Sequence, residues 1–167
     1  MARPAAVLIA ALVGLAASVL STPPVLARAT TSTENVKLPI NELVFVPCAA
    51  GGAGEFVLLS GDLHMLFHVT LDGAGGVHLK EHANPQGVSG TGLTTGDRYR
   101  GAGATQFQLN GRFSGPAQRF ETTTVNNVRI IGQGPNNNLL LHQNLHVTVN
   151  ANGEVTAVVA NSRVDCK

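Results

Sequence analysis

The chain alternates. Between Val57 and Leu71 the odd positions are Val57, Leu59, Gly61, Leu63, Met65, Phe67, Val69 and Leu71, while the even ones include Ser60, Asp62, His64, His68 and Thr70. Between Asn138 and Val149 the odd positions are Leu139, Leu141, Gln143, Leu145, Val147 and Val149, set against Asn138, Leu140, His142, Asn144, His146 and Thr148. Successive side chains of a strand point to opposite faces, so period two means strands with one face for a core and the other for water or a ligand. The same signature predicts strands near 36–47, 56–71, 77–83, 88–93, 98–113, 119–131, 138–149 and 154–165. Asp72-Gly73, Gly75-Gly76, Gly96-Asp97, Gly134-Pro135-Asn136 and Asn152-Gly153 supply turn residues between them. No segment carries a convincing amphipathic helix. His78–His82 is long enough for one turn, and Pro85 and the nearby glycines leave it no room to grow.

Short connections between many strands favour sequential antiparallel pairing. The expected fold is therefore all-β: an antiparallel meander of about seven to eight strands, with a closed barrel preferred to a sandwich. The barrel preference rests on the two cysteines, Cys48 and Cys166, which sit at opposite ends of the domain. A bond between them brings the first and last strands together. With seven strands both cysteines fall at the same end of the sheet; with eight they fall at opposite ends.

The amino terminus suggests why such a bond forms. Arg3 precedes an uncharged run, Val7–Leu20, and Ala27-Arg28-Ala29 has the small-x-small pattern of a cleaved export signal. The run is too short for a confident membrane span. The reading is a signal peptide over 1–29, a flexible segment over 30–35 and a single β domain over 36–167. That puts the protein outside the cytoplasm, secreted or extracytoplasmic, with no membrane span after cleavage, in a setting where paired cysteines persist. Removing Arg3 and Arg28 from the 11 Lys and Arg leaves nine against ten Asp and Glu, a formal charge of −1. Near-neutrality with scattered charges predicts no nucleic-acid partner. One Tyr and no Trp are poor material for stacking on bases or sugars.

All six histidines fall in pairs four apart: His64/His68, His78/His82 and His142/His146. On a strand such a pair shares a face at about 13 Å separation, too far to chelate one ion. Two strands together do better. If Asp72-Gly73-Ala74 is the hairpin loop, His68 stands opposite His78 and His64 opposite His82, close enough to hold Zn²⁺ or Cu²⁺ with Asp62 or Asp72. A loop shifted to Gly73-Ala74-Gly75 pairs His68 with Lys80 instead, and the sites dissolve. His64, His68, His78 and His82 are thus the metal candidates. The plainer reading makes them solvent-facing strand residues, since histidine suits a wet face. Arg98, Arg100, Arg112, Arg119 and Arg129 are likewise expected on solvated faces.

Familiar catalytic signatures are missing. Gly87-Val88-Ser89-Gly90 begins like a nucleophile elbow, but position 91 is Thr where glycine is needed. Gly90-x-Gly92 and Gly101-x-Gly103 lack a third glycine and a following helix, and read as bulges or bends. No catalytic residue and no cofactor is assigned.

Gly90–Tyr99 (GTGLTTGDRY) and Leu145–Thr156 (LHVTVNANGEVT) resemble segments of small exported bacterial β-rich proteins of uncharacterised function. The resemblance implies a shared β-rich domain and no particular activity. The leading expectation is an exported non-enzymatic β-domain, a binding module for a small molecule or an envelope component held in a cavity or on the outer face. The alternatives are a structural or interaction protein of the cell envelope, and an enzyme with an unrecognised site.

Overall fold

Seven antiparallel strands follow one another in space as they do in sequence: β1 (Thr30–Val46), β2 (Glu55–Leu71), β3 (Gly76–Gly92), β4 (Arg98–Arg112), β5 (Arg119–Gly132), β6 (Leu139–Val149) and β7 (Val155–Cys166). A single 3-10 turn, Ala50–Gly52, interrupts the link from β1 to β2. The structure, a computed structural model, describes residues 28–113, 115 and 117–167. The predicted signal segment falls outside these residues except for Arg28 and Ala29. Among the described residues no helix is long and apolar enough to cross a membrane.

Two expectations change. Thr30–Asn35, expected to be flexible, is the first third of β1, paired from Thr30 opposite Leu71 to Asn35 opposite Leu66. Side-chain hydrogen bonds Thr31–Thr70 (3.0 Å) and Thr33–His68 (2.9 Å) add to that ladder. The segments 77–83 and 88–93 are one strand. β3 carries an extra residue at Gly87-Val88, between the pairs Ser60–Ser89 and Asp62–Gln86. Such a bulge bends a strand without ending it. Gly61, at φ 147°, sits against it; a Cβ there would come within 2.7 Å of the Val88 Cα.

The expected closed barrel is corrected to an open sheet, since β1 and β7 do not pair. With an odd number of strands in a meander, the first and last run parallel. Closure would require a parallel ladder, slightly weaker per residue than the antiparallel ladders elsewhere. The cysteines nonetheless meet: Cys48 and Cys166 are disulfide-bonded with Cα atoms 5.3 Å apart. Seven strands laid flat would hold their edges roughly 29 Å apart, at about 4.8 Å per strand. The sheet is therefore curled tightly at the disulfide end and unpaired along its seam.

The core lies where the curl is tightest. Val46, Cys48, Ala49, Val57, Leu59, Val88, Tyr99, Ile130 and Leu139 form the buried cluster, and its strand members share one face by register. That face is the inner one. Towards the opposite, free end the same face continues through Leu63, Met65, Phe67, Leu141, Leu145 and Val147, and among the described residues no second layer covers it. Leu139 is buried; Leu63, Met65, Phe67, Leu141 and Val147 are half-buried, and Leu145 is 42% exposed.

Candidate functional site

Register sorts every charged strand residue onto a face, and the sorting is one-sided. On the inner face the charged residues are four glutamates: Glu34 and Glu42 of β1, Glu55 of β2 and Glu81 of β3. On the outer face stand all eight strand lysines and arginines. They are Lys37 of β1, Lys80 of β3, Arg98, Arg100 and Arg112 of β4, Arg119 and Arg129 of β5, and Arg163 of β7. All six histidines join them there, with only Asp62, Glu121 and Asp165 as acidic company.

Two of these cations face each other directly, Arg112 opposite Arg119, while Lys37 is opposite His64, Lys80 opposite His68 and Arg163 opposite His142. Like charges directly opposite each other destabilise a sheet, so the pattern works against folding unless a ligand uses it. Amides and hydroxyls fill the spaces. Gln106, Gln108, Asn110, Thr123, Asn127 and Asn144 lie on the same face of β4 to β6. Several orient the histidines: His64 bonds to Asn84 at 3.3 Å, His146 to Thr123 at 2.8 Å, and His142 to Asn127. Between Asp62 and the free end, this face carries no Phe or Tyr.

The metal candidates share this face, with Leu71 opposite Val77. That register sets His68 against Lys80, His64 against Asn84, Leu66 against His82 and Thr70 against His78. The structure therefore does not bring the histidines together in the opposed pairs that a two-imidazole site needs. Among the described residues, no three of His, Cys, Asp and Glu form a metal-sized cluster. His78 has a different partner set. Its Nε2 lies 3.2 Å from Asp72 Oδ2 and its Nδ1 3.0 Å from Asn110 Oδ1, while Asn110 Nδ2 donates to Glu121 at 3.1 Å. Both partners are acceptor oxygens, an arrangement that favours the protonated ring. Hydrogen bonding to Asn110, then to Asp72, raises the His78 pKa above its ordinary value. Asp72 is held below the usual carboxylate range by the Gly76 amide first and by His78 second.

Sequence reasoning missed Glu55, a carboxylate 2% exposed beside the core. It accepts from Tyr99 Oη (2.7 Å), Thr95 Oγ1 (2.8 Å), and the amides of Thr95 (3.0 Å) and Thr94 (3.2 Å). Burial works to raise its pKa. The bonds from Tyr99, Thr95 and Thr94 outweigh that, holding it below the usual range. Tyr99 is raised in turn, by burial first and by Glu55 second. Gly92 leaves room for the carboxylate; a Cβ there would come within 2.3 Å of Glu55 Oε2. This cluster ties the β3–β4 turn to β2 and has no open side for a substrate. Its signal was legible: Glu55 has the parity of Val57 and Leu59.

The hollows on the sheet are shallow and open. One of about 300 Å³ is lined by Asp72, His78, Arg112, Arg119, Phe120 and Glu121 at the free end. Another, of about 290 Å³, is lined by His68, Lys80, His82 and Gln106 in mid-face. The disulfide is consistent with an oxidising compartment. No protein-family model, curated protein or solved structure matches the chain.

Proposed function

We propose that this protein is an exported, non-enzymatic binding module that holds a hydroxyl-rich polyanion, such as an acidic polysaccharide, against its outer face. The observation that carries the reading is the segregation of all eight strand lysines and arginines and all six histidines to that one face. A field of one sign concentrates counter-charged ligands even when the net charge is near zero. The intervening amides and hydroxyls suit hydroxyl groups along a sugar chain. The lack of Phe and Tyr in mid-face disfavours stacking on bases and on sugar rings alike, so the contacts rest on charge and hydrogen bonding. A convex, curled surface fits a flexible polymer better than a flat bilayer. Export is supported by the signal-like amino terminus and the disulfide.

The test is retention of the disulfide-intact domain on dextran sulfate, on neutral dextran and on vesicles containing phosphatidylglycerol. We expect retention on dextran sulfate alone, eluted by salt, because each neutralised anionic group releases counterions. Arg98→Gln with Arg100→Gln should lower the eluting salt concentration. Binding to the vesicles without binding to the polymer would overturn the reading.

A second reading is favoured by β7, where every residue except Asp165 is exposed. Its uncharged run Val155–Ala160 lies on an unpaired edge, a ready template for strand addition. Concentration-dependent association by sedimentation equilibrium, abolished by Val158→Lys, would favour it.

A further inference from the structure

We infer that Arg112 and Arg119 form a subsite for a tetrahedral oxyanion, a sulfate or phosphate ester, at the free end of the outer face; the inference rests on reading that face as an anion-binding surface. The two residues are the last rung of the β4–β5 ladder and stand directly opposite each other. Opposed Cβ atoms lie about 4.5–5.5 Å apart, so the two guanidinium groups reach the same volume. On the β3 side Arg112 faces Gly76, where the Asp72 carboxylate takes the place of a side chain.

Neither arginine is in an ion pair among the described residues, although two carboxylates line the same hollow. Those carboxylates are already occupied. Asp72 accepts from the amides of Ala74 and Gly76 and from His78, and Glu121 accepts from Asn110. The chain Asp72–His78–Asn110–Glu121 thus directs its acids to His78 and Asn110, and neither guanidinium is paired with them. An arginine fork presents parallel N–H donors that match two oxygens of one anion. Two forks from opposed positions match the four oxygens of sulfate or phosphate better than the two of a carboxylate. The hollow, about 300 Å³, exceeds what an inorganic ion fills. Of the rest of the lining, Thr148 shares the outer face by register and offers a hydroxyl to the group that carries the ester.

The test uses the disulfide-intact domain with inorganic phosphate and inorganic sulfate as probes, followed by the arginine Nε–H resonances. We expect the Arg112 and Arg119 signals to move together, with one midpoint, ahead of the other arginines. Calorimetry should show at least tenfold weaker binding in Arg112→Gln/Arg119→Gln, and a smaller loss in Arg112→Lys/Arg119→Lys, which keeps charge without the forks. Because the resonances are read in the unsubstituted protein, the result does not depend on the variants folding. Shifts spread evenly over all the arginines, or a double variant within twofold of the parent, would overturn the subsite. A preference for one ion would assign the ester as phosphate or sulfate. Retention on dextran sulfate without shifts at these two residues would sink the subsite and leave the polyanion reading standing. Shifts at these residues without retention would do the reverse.

Discussion

A carboxylate can stay ionised under cover only if donors converge on it, and four converge on Glu55. Replacing it by Gln puts an amide NH₂ among donors that need an acceptor. Hydrogen bonds to charged groups contribute about 1.5–3 kcal/mol each, so Glu55→Gln should cost at least that much. Tyr99→Phe, which removes one donor, should cost about the same or less. The pH dependence has a definite sign. The folded-state pKa of Glu55 is depressed, so its stabilisation is fully present above the unfolded value, about 4.3, and is lost as pH falls through the lower folded value. Urea unfolding between pH 7 and pH 3 should show a stability loss that is shallower in Glu55→Gln; identical slopes would show that Glu55 does not drive it. A second contrast tests where the core lies. Leu59→Ala, at a site 6% exposed, should cost about 2–5 kcal/mol. Leu145→Ala, at 42% exposure on the uncovered half of the same face, should cost less than about 1 kcal/mol. Parity in the sequence placed both leucines on the inner side. It could not say that the sheet curls at one end only, because alternation reports which face a residue takes and not what covers that face.

At the scale of elements, the sequence read well where turns and parity agreed. The β2, β4, β6 and β7 strands fall within one residue of their expected ends, as does the meander order. It read less well where a break in alternation had two meanings. Pro85 and Gly87 looked like the end of a strand and are a bulge within one, because β2 continues past them and keeps its partner paired. That single residue changes the strand count from eight to seven, and the count decides that both cysteines fall at one end. The disulfide then fastens two edges that no ladder joins. The chain-entropy account gives about 4–5 kcal/mol for a closed loop of this length, with the cysteines 118 positions apart in sequence. Cys48→Ser with Cys166→Ser should lose that stability in urea unfolding and speed amide exchange first in β7, which has one neighbour and both faces exposed. Uniform acceleration across all seven strands would mean that the bond acts on the unfolded chain alone. The two edges are also guarded unequally. β1 carries Glu34, Lys37, Pro39 and Glu42, the residue types that discourage edge pairing, whereas Val155–Ala160 of β7 has none.

For the whole molecule, net charge and charge arrangement give opposite forecasts. The expectation of scattered charges, with no electrostatic footprint, came from counting: 11 Lys and Arg against ten Asp and Glu. Parity was available at each strand, but adding it up across strands requires the register, and the β3 bulge shifts parity halfway along one of them. Once register is known, the outer face holds eight lysines and arginines against three carboxylates, and the inner face holds glutamates alone. The curled sheet therefore presents cations on its convex side and keeps its glutamates on the concave one. Such a protein should adsorb by its outer face to an anionic surface, where an even distribution of the same charges would pass through. At pH 8, where the domain without Arg3 and Arg28 has nine Lys and Arg against ten Asp and Glu, we expect its disulfide-intact form to be retained on a sulfonate cation exchanger at low salt. Salt should elute it, since screening shortens the reach of the field from about 30 Å at 0.01 M to about 10 Å at 0.1 M. Arg98→Glu with Arg129→Glu should abolish retention by reducing the outer face to six cations against five carboxylates. Reversing two charges on the inner face, Glu34→Lys with Glu42→Lys, raises the net charge by the same amount that the outer pair lowers it. If retention simply tracked net charge, this inner pair would strengthen binding as much as the outer pair weakens it. If it tracks the face, the inner pair should change elution far less.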